Sequence, residues 1–129
     1  MMVLPLNKIK QADTYLNPVQ INLKNKLILP IEKKIFFLDF QNIIFAYSDG
    51  NYIYVITSDK KYFLAKTLKW LEERLPQDSF IRVHRSYIIN VNQINNLDKS
   101  SWNIVMNNNE IVPVSKRVRS TMSLLFKQS

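Results

Sequence analysis

A chain of 129 residues that is 47% hydrophobic is long enough for one cooperative core and too short for two comfortable ones. It holds no cysteine, a single histidine and a single glycine, which excludes disulfide scaffolds, tetrahedral zinc sites and glycine-rich phosphate loops. The formal charge of +8 points instead to a polyanionic partner, either nucleic acid or an anionic membrane surface.

Residues 1–26 read as an N-terminal arm or linker. Met1–Leu6 is apolar but brief, Pro5 and Pro18 interrupt the stretch, and the remainder mixes Lys, Gln, Asn and Asp without a sustained period. Such an arm suits packing against a second subunit, or a place where a signal-receiving domain was once joined or has been replaced. No apolar run approaches the ~20 residues of a membrane span, and the start lacks the regions of an export signal. A cytoplasmic location without membrane insertion is expected.

The ordered domain is expected over 27–126, with 127–129 as a tail. Leu27–Ile31 and Lys34–Leu38 are short β-type runs, and a polar turn at Asp39–Asn42 leads into Ile43–Tyr47. Asp49-Gly50 is the best hairpin turn available, because glycine adopts positive φ without steric cost. Asn51–Ile56 then alternates, with Tyr52, Tyr54 and Ile56 on one face and Ile53 and Val55 on the other. After a turn at Ser58–Lys61, Tyr62–Ala65 completes an antiparallel series. Thr67 is placed to cap a helix over Leu68–Leu75, with Leu68, Leu71 and Leu75 inward and Lys69, Glu72, Glu73 and Arg74 toward water. Its mixed charge marks this helix as scaffold, and Pro76 ends it.

A strong β-former run, Phe80–Val91, is interrupted by the donors His84, Arg85 and Ser86. Trp102–Met106 is a strand, Asn107–Glu110 a hairpin turn and Ile111–Val114 the returning strand, where Pro113 predicts an edge or a strand end. Ser115 is an N-cap candidate for a terminal helix with Val118, Met122 and Leu125 along its inner side. Asn90 and Asn92 either fix register as buried amides or face solvent.

The terminal helix starts with Lys116, Arg117 and Arg119, where the helix dipole and unpaired amides favour negative charge. That placement costs about 0.3–1 kcal/mol per charge, and a bound phosphate would reverse its sign. His84 and Arg85 are adjacent, so either both reach one ligand from a bend or loop or one of them packs inward. Arginine reads guanine through two parallel hydrogen bonds and equally suits a phosphate. The bland alternative makes His84 a tie to a backbone carbonyl and leaves Arg82 and Arg85 as ordinary surface cations. Asn51 and Tyr52, at a hairpin tip, are shaped to enter a groove, although Asn there also stabilises a turn by itself. Catalysis finds little support, since no serine elbow is visible and Glu72 and Glu73 diverge on their helix.

Four blocks in order carry a resemblance: Ile44–Tyr52, Lys66–Pro76, Phe80–Asn90 with its Arg-Val-His-Arg-Ser-Tyr-Ile-Ile-Asn core, and Ile111–Arg117. Over about residues 27–126 the chain resembles the LytTR DNA-binding domain of bacterial transcription regulators. The resemblance implies a mainly β fold, an elongated arrangement of small antiparallel sheets with short helices, whose loops read successive major grooves of double-stranded DNA. It implies Asn51 and Tyr52 as the first base-reading loop, His84 and Arg85 as the central contact, and Lys116 and Arg117 in the region of the third. The neighbouring donors Arg82, Ser86, Ser115 and Arg119 are assigned to phosphates. No catalytic residue, metal or cofactor is implied. The implied partners are repeated DNA sites, a homodimer formed on DNA and a separate sensor protein. Members of the family usually carry a receiver domain or membrane-spanning segments, whereas about 26 unpatterned residues precede the domain here. A stand-alone regulator, a fragment and the partner of a separate sensor are all compatible with that. A non-enzymatic module for an acidic protein or membrane surface, or an RNA binder, remains the alternative reading.

Overall fold

Alternation gives the central sheet two apolar faces, and both are covered. The computed structural model describes residues 23–127, so most of the expected arm and the last two residues of the tail lie outside the described part. Strands β1 (Lys26–Ile31) and β2 (Lys34–Asp39) form an antiparallel hairpin. The central antiparallel sheet has the order β5-β4-β3-β7-β6, built from β3 (Ile43–Asp49), β4 (Tyr52–Thr57), β5 (Lys61–Leu64), β6 (Phe80–His84) and β7 (Tyr87–Asn90). A three-stranded sheet follows, β10-β9-β8, from β8 (Ile94–Asp98), β9 (Asn103–Met106) and β10 (Ile111–Pro113). The helices are α1 (Leu68–Glu72) and α2 (Lys116–Phe126).

One core joins Ile53, Val55 and Ile88 of the central sheet to Leu27 and Leu29 of β1 and to Leu68 and Leu71 of α1. The other joins Phe45, Ile56 and Ile89 to Ile104 and Met106 of β9, Val112 of β10 and Met122 of α2. The split of β4 between the two cores follows the alternation read from its sequence. In β3 a bulge between Ile43 and Phe45 breaks the period, so Ile44 and Phe45 both enter the second core. The result is a mainly β fold of small antiparallel sheets with short helices, in three layers.

Several local expectations shift. The hairpin loop is Gly50-Asn51, one residue later than Asp49-Gly50, because Asp49 still pairs with Tyr52. Gly50 has φ +62 while Asn51 does not adopt positive φ, which fits glycine at the first loop position of a type II′ turn. Helix α1 stops at Glu72 instead of Leu75. Arg74 and Leu75 donate to carbonyls three residues back, a tightened end before Pro76, which disfavours the helical conformation in the residue preceding it. Ile94–Asp98 is a strand that its polar residues did not announce. Pro113 sits at the end of an edge strand, as expected. Leu125 does not line the inner side of α2. It is 40% exposed, while Met122 is fully buried and Val118 packs partly against the core, so core contact along the helix ends near Met122.

Asn90, rather than Asn92, is the buried amide. Its Nδ2 donates to the Ile43 carbonyl at 2.9 Å and more loosely to Phe40 at 3.4 Å, and its Oδ1 accepts from the Asn92 amide at 2.9 Å. It ties the end of β7 to the start of β3, away from the turns described next.

Candidate nucleic-acid interface

Strand register places the two donor-rich turns at one end of the central sheet. Tyr47, near the end of β3, pairs with Tyr87 at the start of β7. The Gly50-Asn51 loop that follows β3 and the Arg85-Ser86 loop that precedes β7 are therefore neighbours. A hydrogen bond from the Ser48 amide to the Ser86 carbonyl, 3.0 Å, fixes one to the other. A second, from the Ser115 amide to the Val83 carbonyl at 2.9 Å, ties the start of α2 to the strand leading into the same turn. Three segments far apart in sequence thus form one continuous edge.

Within that edge the candidate side chains differ in availability. Asn51, Arg85, Lys116 and Arg117 are exposed, and among the described residues none of the three cations forms an ion pair. Tyr52 is 45% exposed, with its ring edge-on to Phe63 at 5.8 Å. His84 is half-buried, its Nδ1 accepts from the Ser86 amide at 3.0 Å, and its ring lies edge-on to Tyr87. His84 ends β6 and Arg85 opens the two-residue turn to β7, so the chain changes direction between them, one of the arrangements the sequence left open; a register shift between Arg82 and His84 precedes the turn. His84 closes that bend through an amide, where the bland reading had a carbonyl partner. Because Nδ1 accepts, a neutral ring carries its proton on Nε2.

Arg82 braces the turn. Its Nη1 donates to Glu72 of α1 at 3.2 Å and its Nη2 to the Arg85 carbonyl at 2.6 Å. Ser115 occupies the N-cap position of α2, but its hydroxyl makes no cap bond, is enclosed, and has no hydrogen-bond partner. Arg119 lies with its guanidinium 5.6 Å from the centre of the Trp102 ring, and its enclosed Nε is likewise unpartnered. The Ser115 hydroxyl is thus enclosed where it stands, and the Arg119 guanidinium packs in part against Trp102.

Sequence reasoning overlooked the flank beside α1. A hollow of about 390 Å³ opens between the Gly50-Asn51 loop and the start of α1, lined among others by Lys66, Thr67, Lys69 and Arg82. The mixed charge of α1 sorts itself: Glu72 turns to Arg82 and Glu73 lies 3.9 Å from Arg74. The signal available in the sequence was Lys66 and Lys69 at the spacing of one helical turn. On the sheet's other face, Tyr47 and Tyr54 stack at 4.9 Å, and the Tyr47 phenol beside Lys61 holds its ammonium above the ordinary lysine value.

The mainly β scaffold presents two exposed polar turns and a cationic helix start along one edge, a surface suited to a polyanion. The sequence pattern of the LytTr DNA-binding domain matches residues 33–127, and the chain belongs to that family. Its members are non-catalytic DNA-binding modules of transcriptional regulators. The chain is 33% identical over 106 residues to the sensory transduction protein LytT of Bacillus subtilis, covering 80% of this chain and 44% of that protein. It is 36% identical over 83 residues to the transcriptional regulatory protein LytR of Staphylococcus aureus, covering 64% and 34%. The chain thus spans less than half the length of these relatives. The solved LytTr DNA-binding domain of a Bacillus cereus response regulator superposes with a TM-score of 0.68 at 30% identity, covering 79% of this chain and 96% of that one.

Proposed function

We propose that this chain binds double-stranded DNA sequence-specifically as the DNA-reading part of a transcriptional regulator. Arg85 and the Asn51–Tyr52 tip read base edges, and Lys116 and Arg117 engage the duplex from the start of α2, where free amides and cations together favour phosphate. The observation that carries this reading is the pair of backbone bonds, Ser48 to Ser86 and Ser115 to Val83, which align all three segments. His84 and Arg82 shape the central turn and act through Arg85. The sensory and regulatory names of the relatives support control by a sensor; binding at repeated sites by pairs of chains is a further part of the proposal.

Selection from a random duplex library supplies the preferred site. On that site Arg85→Ala costs about 1–3 kcal/mol, and much less on random duplex. Lys116→Ala, in the same titrations, lowers the dependence of log K on log salt by about 0.9 with little change in preference. Equal losses for Arg85→Ala on both duplexes reassign it to the backbone. Tighter binding of single-stranded RNA or anionic vesicles than of any duplex overturns the reading altogether.

A further inference from the structure

Two hollows open at opposite ends of the central sheet, and their linings differ in sign. The larger, about 500 Å³, includes Asp39 and Asp78 beside Lys24 and the buried Asn90. The smaller, about 390 Å³, carries Lys66, Lys69 and Arg82 with Asn51 and no carboxylate in its lining. Arg82 is paired with Glu72, so the net positive charge of the smaller hollow comes from the two lysines. Both lysines are exposed, and among the described residues neither forms an ion pair. Lys66 packs its ammonium 5.3 Å from the centre of the Trp70 ring, which holds it near the hollow. The Thr67 hydroxyl accepts the Trp70 amide at 3.0 Å and keeps its own proton free to donate.

We infer that Lys66 and Lys69 form a second phosphate clamp on the duplex, on the face of the reading edge opposite to Lys116 and Arg117. The inference rests on the proposed function and extends it. Helix α1, to whose Glu72 the Arg82 side chain is bonded, belongs to the layer of the first core, whereas α2 belongs to the layer of the second. The reading turns project from the sheet between them. Layers packed about 10 Å apart put the two lysine-bearing flanks on the order of 20 Å from each other. That span covers a major groove of about 12 Å with a backbone on either side. A turn entering the groove would then meet one phosphate strand through α2 and the other through the hollow.

The test is a salt titration of the full chain on its selected duplex and on random duplex. Relative to wild type, Lys66→Gln/Lys69→Gln should lower the salt slope by about 1.8, two phosphates at 0.9 each. Between 50 and 200 mM salt the wild type should therefore lose about 12-fold more affinity than the variant. The ratio of specific to random binding should stay within about twofold, because phosphate contacts carry no sequence information. Lys60→Gln, in the β4–β5 turn at the far end of the sheet, is the control and should leave the slope unchanged. Both lysines are exposed, and thermal melting confirms that the variants fold. A slope unchanged in the double variant overturns the clamp while leaving the proposed function standing, since Arg85→Ala still reports base reading. A slope lowered equally by Lys60→Gln also overturns it, replacing a located clamp by net charge. If inorganic phosphate shifts the amide resonances of Lys66 and Lys69 while the duplex does not, the hollow takes small anions and the clamp fails.

Discussion

Replacing Arg82 with alanine separates two roles that its position allows. From the sequence it was a phosphate contact, whereas in the fold its guanidinium is divided between Glu72 and the Arg85 carbonyl. The Glu72 pair spans 3.2 Å between side chains 32% and 45% exposed, so screening leaves it about 0.3–1 kcal/mol. The 2.6 Å bond to the Arg85 carbonyl is charge-assisted but exposed, contributing about 1 kcal/mol. Arg82→Ala should therefore cost about 1.3–2 kcal/mol, roughly 5–15 °C in Tm for a domain of this size. Losing the brace also frees the turn that carries Arg85, so the ratio of specific to random binding should fall about fivefold, part of the 1–3 kcal/mol available to one bidentate base contact. Glu72→Gln removes only the ion pair and should lower Tm slightly with the ratio nearly intact. The assays are thermal melting and parallel titrations on the selected and random duplexes. An unchanged Tm together with equal losses on both duplexes would refute the brace and restore a phosphate role.

Two further substitutions test the frame that holds this edge. Asn90→Ala leaves the Ile43 carbonyl and the Asn92 amide without their partner and should cost about 2–4 kcal/mol in urea unfolding. Asn90→Asp should cost more, because a carboxylate would face the Ile43 and Phe40 carbonyl oxygens; an aspartate variant as stable as the wild type would sink that account. Gly50→Ala meets no atom within 4 Å, so its cost is the φ of +62 alone, about 1–2 kcal/mol, and Gly50→Asn should cost less. Equal stability of the alanine variant would mean that the loop adopts another turn.

Much of this architecture was legible because its signals are local. The period of two in Tyr52–Ile56, the lone glycine, the leucines of α1 and the proline at the end of β10 each announce a constraint that acts within a few residues. What was not legible depends on distant pairing. Arg82 reads as a surface cation until Glu72, ten positions earlier, is brought against it by the packing of α1 on the sheet. Lys69 looks like the solvated face of a scaffold helix, with Lys66 just ahead of its cap, until that same pairing removes the nearby acid. Leu125 keeps the helical period of an inner residue, but periodicity carries no information about where the opposing sheet ends. Ile94–Asp98 is mostly polar because that strand is largely exposed, so neither alternation nor hydrophobicity marked it.

In the proposed function, the division of labour between the middle layer and the outer ones has a physical reason. Discriminating bases requires donors held to about 0.5 Å, and a hairpin tip is that steady only if its strands cannot slip. A shift of one residue in β3 or β7 would exchange their two faces, moving Ala46 and Ile88 into the second core and Phe45 and Ile89 into the first. Burial on both faces therefore locks the register, and the Ser48–Ser86 bond passes that lock to the two tips. Phosphates tolerate looser placement, because a point charge on a flexible stem finds them over several ångströms. Lysines on exposed outer elements would meet that requirement, while Arg85, the arginine proposed to read base edges, is carried by the doubly buried sheet.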